Sequence, residues 1–96
     1  MTSKQRSYLK KLASNLTPIF QIGKSSLTPE IIMALNDAIE KRELIKVSVL
    51  KNCADDPAEL AQMIAERTKS QVVVVIGKKI VLYRQAKKNP KIELPK

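Results

Sequence analysis

The 96-residue chain contains no histidine, no tryptophan and a single cysteine, Cys53. Each absence removes a class of chemistry. Without His, the commonest general base and the usual nitrogen ligand of zinc are both missing, so acid–base catalysis and a zinc site are disfavoured. One cysteine cannot close an internal disulfide, and Cys53 reads as a small loop residue rather than a redox group. Tyr8, Phe20 and Tyr83 are the only aromatics, so the core has to be aliphatic and base-stacking platforms are scarce. No apolar run approaches the ~20 residues that span a bilayer. The opening MTSKQRSYLKK lacks the apolar segment of a signal peptide, and a cytoplasmic location is expected.

Acidic residues are scarce at both ends. Residues 1–29 carry five basic residues (Lys4, Arg6, Lys10, Lys11, Lys24) and no acidic one. Residues 30–77 carry six basic and eight acidic residues, and residues 78–96 carry seven basic and one acidic. The net charge of +9 therefore sits at the chain ends. Clustered Lys and Arg displace the counterions condensed on phosphate backbones, so a polyanion is the leading partner. The plain alternative is a basic protein with solvated ends.

Hydrophobic spacing gives the elements. Residues 3–14 read as a helix with Tyr8, Leu9, Leu12 and Leu16 on one face and the cations on the other. Residues 18–22 are a short strand. Thr28-Pro29-Glu30 combines an N-cap, proline at the first helical position and an acid in the first turn, which predicts a helix running to about Lys41. LIKVSVL, Leu44 to Leu50, alternates as a strand, with Ile45, Val47 and Val49 on one face and Lys46 and Ser48 on the other. Asp56-Pro57-Ala58-Glu59 predicts a capping box and a third helix to about Arg67 that buries Leu60, Met63 and Ile64. QVVVVI, Gln71 to Ile76, is apolar on both faces and reads as a central strand. Gly77-Lys78-Lys79 then turns the chain into IVLYR, Ile80 to Arg84, as a hairpin. Residues 85–96, with two prolines and four lysines, read as a basic tail that is mobile or peripheral. The order α-β-α-β-α-β-β predicts a single compact α/β domain with a mixed four-stranded sheet, parallel where helices separate the strands.

One stretch invites a catalytic reading. FQIGKSSLTPE, Phe20 to Glu30, sets Gly-Lys-Ser between a strand and a helix, which is half of a nucleotide-binding P-loop. The motif needs its first glycine at position 18, which is proline, with no N–H to offer a phosphate. No strand ends in the aspartate that would hold magnesium. Asp55 and Asp56 are adjacent, but Asp56 is already a helix cap. Glu40 and Glu43 flank Lys41-Arg42 and read as solvated helix-end charges. No enzyme, metal site or cofactor is expected. What survives is a strand, a loop with glycine, lysine and hydroxyls, and a helix N-terminus. Lys24, Ser25, Ser26 and Thr28 can contact phosphate oxygens there. The competing reading is a turn whose hydroxyls only cap the helix.

Four segments in order resemble the CRM domain (chloroplast RNA splicing and ribosome maturation), in its stand-alone bacterial YhbY-type form. Gln5-Arg6 with Leu9 and Ala13 is similar to the family's opening Q-R-x-x-L-x-x-x-A. PIFQIGKSSLT resembles its strand, loop and helix start, ALNDAIEKRELIKV its most recognisable stretch, and IGKKIVLYR its closing hairpin. The resemblance implies an RNA-binding α/β domain over residues 1–84, related in shape to the C-terminal domain of translation initiation factor three. It implies association with precursors of the large ribosomal subunit. It also implies a G-x-x-G loop, which falls on Gly23, Lys24, Ser25 and Ser26. Ser26 departs from the family glycine, and Arg42 stands where members often have histidine.

The resulting expectation is a bacterial, monomeric, non-enzymatic protein that binds ribosomal RNA during large-subunit assembly. Gly23, Lys24, Ser25, Ser26 and Thr28 would hold backbone. Arg6, Lys10 and Lys11 would widen the cationic surface, and Lys78, Lys79 and Arg84 would extend it if they lie on the same side. With so few aromatics, phosphate and shape recognition of structured RNA is expected. The alternative is a module that docks on an acidic protein surface.

Overall fold

A computed structural model describes residues 1–96. Seven elements follow in the predicted order: α1 (Ser3–Ala13), β1 (Phe20–Ile22), α2 (Pro29–Arg42), β2 (Leu44–Val49), α3 (Pro57–Thr68), β3 (Gln71–Ile76) and β4 (Lys79–Tyr83). Each helix start has a side-chain cap. Thr2 and Gln5 form a reciprocal capping box at α1, with bonds of 3.0 and 3.1 Å. The Thr28 hydroxyl accepts the Ile31 N–H at 3.2 Å, and Asp56 accepts the Glu59 N–H at 3.4 Å. Pro29 and Pro57 occupy first helical positions, where their missing N–H has no partner to lose.

The strands form one mixed sheet in the order β1-β2-β4-β3. β1 and β2 are parallel, whereas β4 is antiparallel to both of its neighbours. β2 and β3 therefore run in the same direction, as a crossover through α3 requires, but β4 lies between them. The hairpin turn is two residues, Gly77-Lys78, with Gly77 at φ +56°, a backbone region glycine enters without steric cost.

The sheet is covered on both faces. Ile45, Val47 and Val49 of β2 and Ile80 and Leu82 of β4 pack against Leu35 and Ile39 of α2 and Leu60, Ala61 and Ile64 of α3. On the other face Leu9 and Ala13 of α1 meet Leu44, Val73, Val81 and Tyr83. This two-sided cover corrects one expectation. β3 is an edge strand, not a central one. Its apolar residues serve both faces because α3 lies on one side and α1 on the other, and a bulge between Val72 and Val74 brings Val73 into the α1 core. Apolar alternation reports which faces are covered, not which strands are neighbours.

Three further expectations change. The buried stripe of α1 is centred on Leu9 and Ala13, which leaves Tyr8 and Leu16 each 38% exposed. Met63 is 40% exposed, and the small residues Ala61 and Ala65, on the other flank, complete the buried face of α3 beside Leu60 and Ile64. Glu43 is not a solvated charge. It is fully buried at the end of α2, with φ +66°. Its carboxylate accepts the N–H groups of Ala86 at 2.8 Å, Lys91 at 2.6 Å and Ile92 at 2.8 Å. Burial pushes this carboxyl up, but the three N–H groups and the Lys91 charge outweigh it and hold the pKa below the ordinary 4.5. Tyr83 moves the other way, pushed above 10.0 by burial and then by the Glu43 charge. Residues 85–96 contain no helix or strand. Ile92 and Leu94 pack on the α1 core, and Gln5 of α1 donates to the Pro95 carbonyl at 3.0 Å.

Candidate nucleic-acid interface

Parallel pairing puts the C-terminal ends of β1 and β2 side by side, so the two helices that follow start from one end of the sheet. The Leu50 N–H donates to the Ile22 carbonyl at 2.8 Å, which ties the loop after β2 to the end of β1. Antiparallel β4 begins at the same end: Lys79 pairs with Ser48, and the Val49 N–H donates to the Lys78 carbonyl at 2.7 Å. The β1–α2 loop, the β2–α3 loop and the hairpin turn therefore share one rim. Lys24, Lys51, Lys78 and Lys79 all stand on it, all exposed, and none has an acidic partner, since the only ion pair in the molecule joins Arg84 and Glu40.

Within Gly23–Ser26 the outer positions have separate structural reasons. A Cβ on Gly23 would meet the Asn52 side-chain oxygen at 3.3 Å and Leu50 at 3.5 Å. A side chain at Gly23 would thus press on the neighbouring loop, and the Asn52 side chain would have to shift by a few tenths of an ångström. Ser26 closes a tight turn, its N–H donating to the Gly23 carbonyl at 2.9 Å, with φ +54°. The left-handed conformation that suits glycine is retained with a serine in place. The Ser26 hydroxyl donates to the Asp55 carboxylate of the β2–α3 loop. A hydroxyl has one proton to donate, so Ser26 has none left for a phosphate while it holds Asp55. Thr28 lends its oxygen to the α2 cap and keeps its proton free. Lys24 and Ser25 project from the turn exposed.

The remaining cations divide. Arg6 and Lys10 lie four residues apart on α1, exposed, with the Arg6 guanidinium donating to the Val73 carbonyl at 3.3 Å. Gln5 and Leu12, on the opposite flank of α1, hold the tail. Lys11 is exposed on the outer side of the helix. Arg84 lies at the far end of the sheet and is spent inside the fold. Its guanidinium bonds the Asn36 side chain at 2.8 Å, the Asn36 carbonyl at 3.3 Å, the Thr68 carbonyl at 2.5 Å and Glu40 at 3.1 Å. It therefore joins the last turns of α2 and α3 to β4. Of the basic residues singled out in the hairpin, Lys78 and Lys79 share the rim with Lys24, and Arg84 does not. Lys51 belongs to the rim as well. It lies in the loop after β2, which the β1–β2 register and the Leu50 N–H to Ile22 carbonyl bond set against the end of β1.

The chain is 46% identical over 95 residues to a Bacillus subtilis protein named probable RNA-binding protein YqeI, covering 99% of both chains. It is 33% identical over 96 residues to a Haemophilus influenzae protein named RNA-binding protein, covering 100% of this chain and 96% of that one. The solution structure of a hypothetical protein from Staphylococcus aureus superposes with a TM-score of 0.83 at 52% identity, covering 99% of each chain. The CRS1/YhbY (CRM) domain matches residues 1–84, and the chain belongs to that family.

Proposed function

We propose that the chain is a non-enzymatic RNA-binding protein that engages ribosomal RNA during assembly of the large ribosomal subunit, acting as a monomer in the cytoplasm. RNA binding is supported by the names of its relatives and by the rim. There, four lysines with no acidic partner surround a tight turn at the N-terminus of α2, where free N–H groups and the helix dipole favour an anion. The rim is the observation that carries the reading. Its ribosomal setting rests on the CRM resemblance. Lys24 and Ser25 would hold backbone phosphates, Thr28 would add a hydroxyl, and Lys78 and Lys79 would extend the contact. Gly23 and Ser26 would shape the loop, and the Ser26 hydroxyl would contact RNA only after releasing Asp55. Arg6, Lys10 and Lys11 would add cationic surface on α1. Arg84 contributes to the fold rather than to the ligand.

The test is a binding titration with structured ribosomal RNA over a range of salt. Log affinity should fall linearly with log salt, by roughly 0.7 to 0.9 per phosphate contacted. Lys24→Glu should weaken binding about tenfold, whereas Lys41→Glu, in the last turn of α2 at the other end of the molecule, should change it less than twofold. A flat salt response, or equal effects of the two variants, rejects the rim. Association with large particles that survives nuclease treatment of an extract favours docking on an acidic protein surface instead.

A further inference from the structure

α1 covers only part of its face of the sheet. Its contacts reach Leu44, Val73, Val81 and Tyr83. The rest of that face, toward the rim, carries Gln21, Lys46, Ser48 and Lys79. Their strand neighbours Ile22, Val47, Val49 and Ile80 point into the opposite core, so these four side chains point outward on the α1 side. Gln21 and Lys79 are exposed and Lys46 is half-buried. The Lys79 ammonium donates to the Ser48 hydroxyl at 3.2 Å.

The charges on this half-sheet are all of one sign. Because Ser48 pairs with Lys79 and Lys46 with Val81, Lys46 and Lys79 are diagonal neighbours on adjacent strands. Like charges so placed repel, and sheets open to water ordinarily place opposite charges across strands. Neither lysine has an acidic partner. Lys10 lies on the flank of α1 opposite the tail, and Arg6 on that flank reaches the edge strand β3, donating to the Val73 carbonyl at 3.3 Å. The rim lysines close the other end of the half-sheet. The result is a trough with a polar floor whose own charges are two unpaired lysines, with further lysines at the rim end.

The same trough has no aromatic. Phe20 packs toward α2 and α3, Tyr83 is buried, and Tyr8 lies on the tail side of α1. Unstacked bases would find no platform there, while cations and hydroxyls suit the phosphates and 2′-hydroxyls of a helix whose bases stay paired. We propose that this half-sheet is a second phosphate contact, made by Lys46 and Lys79, and that its ligand is base-paired RNA whose backbone crosses the sheet between α1 and the rim. The proposal rests on the RNA-binding reading and extends it beyond the loop. Ile76, paired with Lys79 and 63% exposed, supplies an apolar surface for a ribose.

The experiment compares the full chain with Lys46→Ala/Lys79→Ala, Lys46→Arg/Lys79→Arg and Lys24→Glu variants. Fluorescence anisotropy is read with an RNA hairpin of about 16 base pairs, the span of a typical double-strand binder, and with an unstructured single strand of equal length. The double alanine variant should lose about tenfold on the hairpin, with a salt slope reduced by about 1.4 to 1.8 for two lost phosphate contacts. On the single strand, where only the rim contact of Lys79 is lost, it should lose no more than about threefold. The double arginine variant, which keeps the charge, should bind the hairpin within twofold of the wild type, and melting curves check that every variant is folded. Hairpin binding unchanged by the double alanine variant overturns the half-sheet contact; if Lys24→Glu is still weakened, the loop reading stands. Equal losses on both RNAs overturn the assignment to base-paired RNA. Failure of the wild type to bind either RNA overturns the RNA reading itself.

Discussion

The two ends of the sheet use charge in opposite ways. At the rim, Lys24, Lys51, Lys78 and Lys79 are exposed without acidic partners. At the far end, both terminal nitrogens of Arg84 are bonded to Asn36, Thr68 and Glu40, and the carboxylate of buried Glu43 is held by backbone N–H groups of Ala86, Lys91 and Ile92. The second arrangement is what a charge does when it stabilises a fold. Removing one partner leaves a buried group unsatisfied, which is strongly destabilising. The first arrangement adds little to stability, since exposed charges seldom contribute measurably, and it leaves the cations available to a polyanion. In a chain of net charge +9, the difference separates residues that build the protein from residues left free to meet a polyanion.

Substitutions can break this comparison, and the largest effect is expected at the far end. Glu43→Ala removes the acceptor of three N–H groups and should cost about 3 kcal/mol in chemical denaturation, with RNA affinity within twofold of the wild type. Arg84→Met should cost about 2 kcal/mol for the same reason, again with little change in RNA binding. A large loss of affinity in either folded variant would erase the distinction between the two ends.

The far end should also be the acid-sensitive one. Glu43 has its pKa depressed in the fold, so its contribution is fully present above its unfolded value near 4.5 and is lost as pH falls through the lower folded value. Melting temperatures followed from neutral pH to about 3 should drop more steeply for the wild type than for Glu43→Gln, which cannot titrate there. Parallel curves would show that the carboxylate does not drive the transition.

At the rim the pattern should reverse. Lys24→Glu should leave stability within about 0.5 kcal/mol, as surface substitutions usually do, while RNA affinity drops about tenfold. The smallest effect sharpens the rim itself. Asp55 sits beside the loop and holds the Ser26 hydroxyl. Asp55→Asn removes a negative charge from the phosphate path and should raise RNA affinity about twofold to threefold in low salt, with the gain fading as salt screens it. Unchanged affinity would mean that the RNA passes the rim away from Asp55.

Much of this was legible in the chain. Thr28-Pro29 and Asp56-Pro57 announced two helices, the alternation of LIKVSVL announced β2, and Gly77 announced the hairpin, because caps, pleats and turns are local physics. The unpaired Lys24 of the β1–α2 loop was visible as charge without acid. Other features were hidden for a common reason: they depend on residues distant in sequence. Glu43 looks solvated beside Lys41 and Arg42 until the tail returns to it. Arg84 looks like one more cation of a basic hairpin until Asn36 and Thr68 are brought to it. QVVVVI reads as central because its valines reveal covered faces and are silent about neighbours.

The sequence by itself determined the elements, their order, the family and the abundance of positive charge, since propensity, capping and composition act over a few residues. Only the tertiary structure decided which charges remain available. The insertion of β4 between β2 and β3 sets Lys78 and Lys79 beside Lys24 and Lys51 and carries Arg84 to the opposite end. A lysine's charge is fixed by its chemistry, but its partners are fixed by strand register.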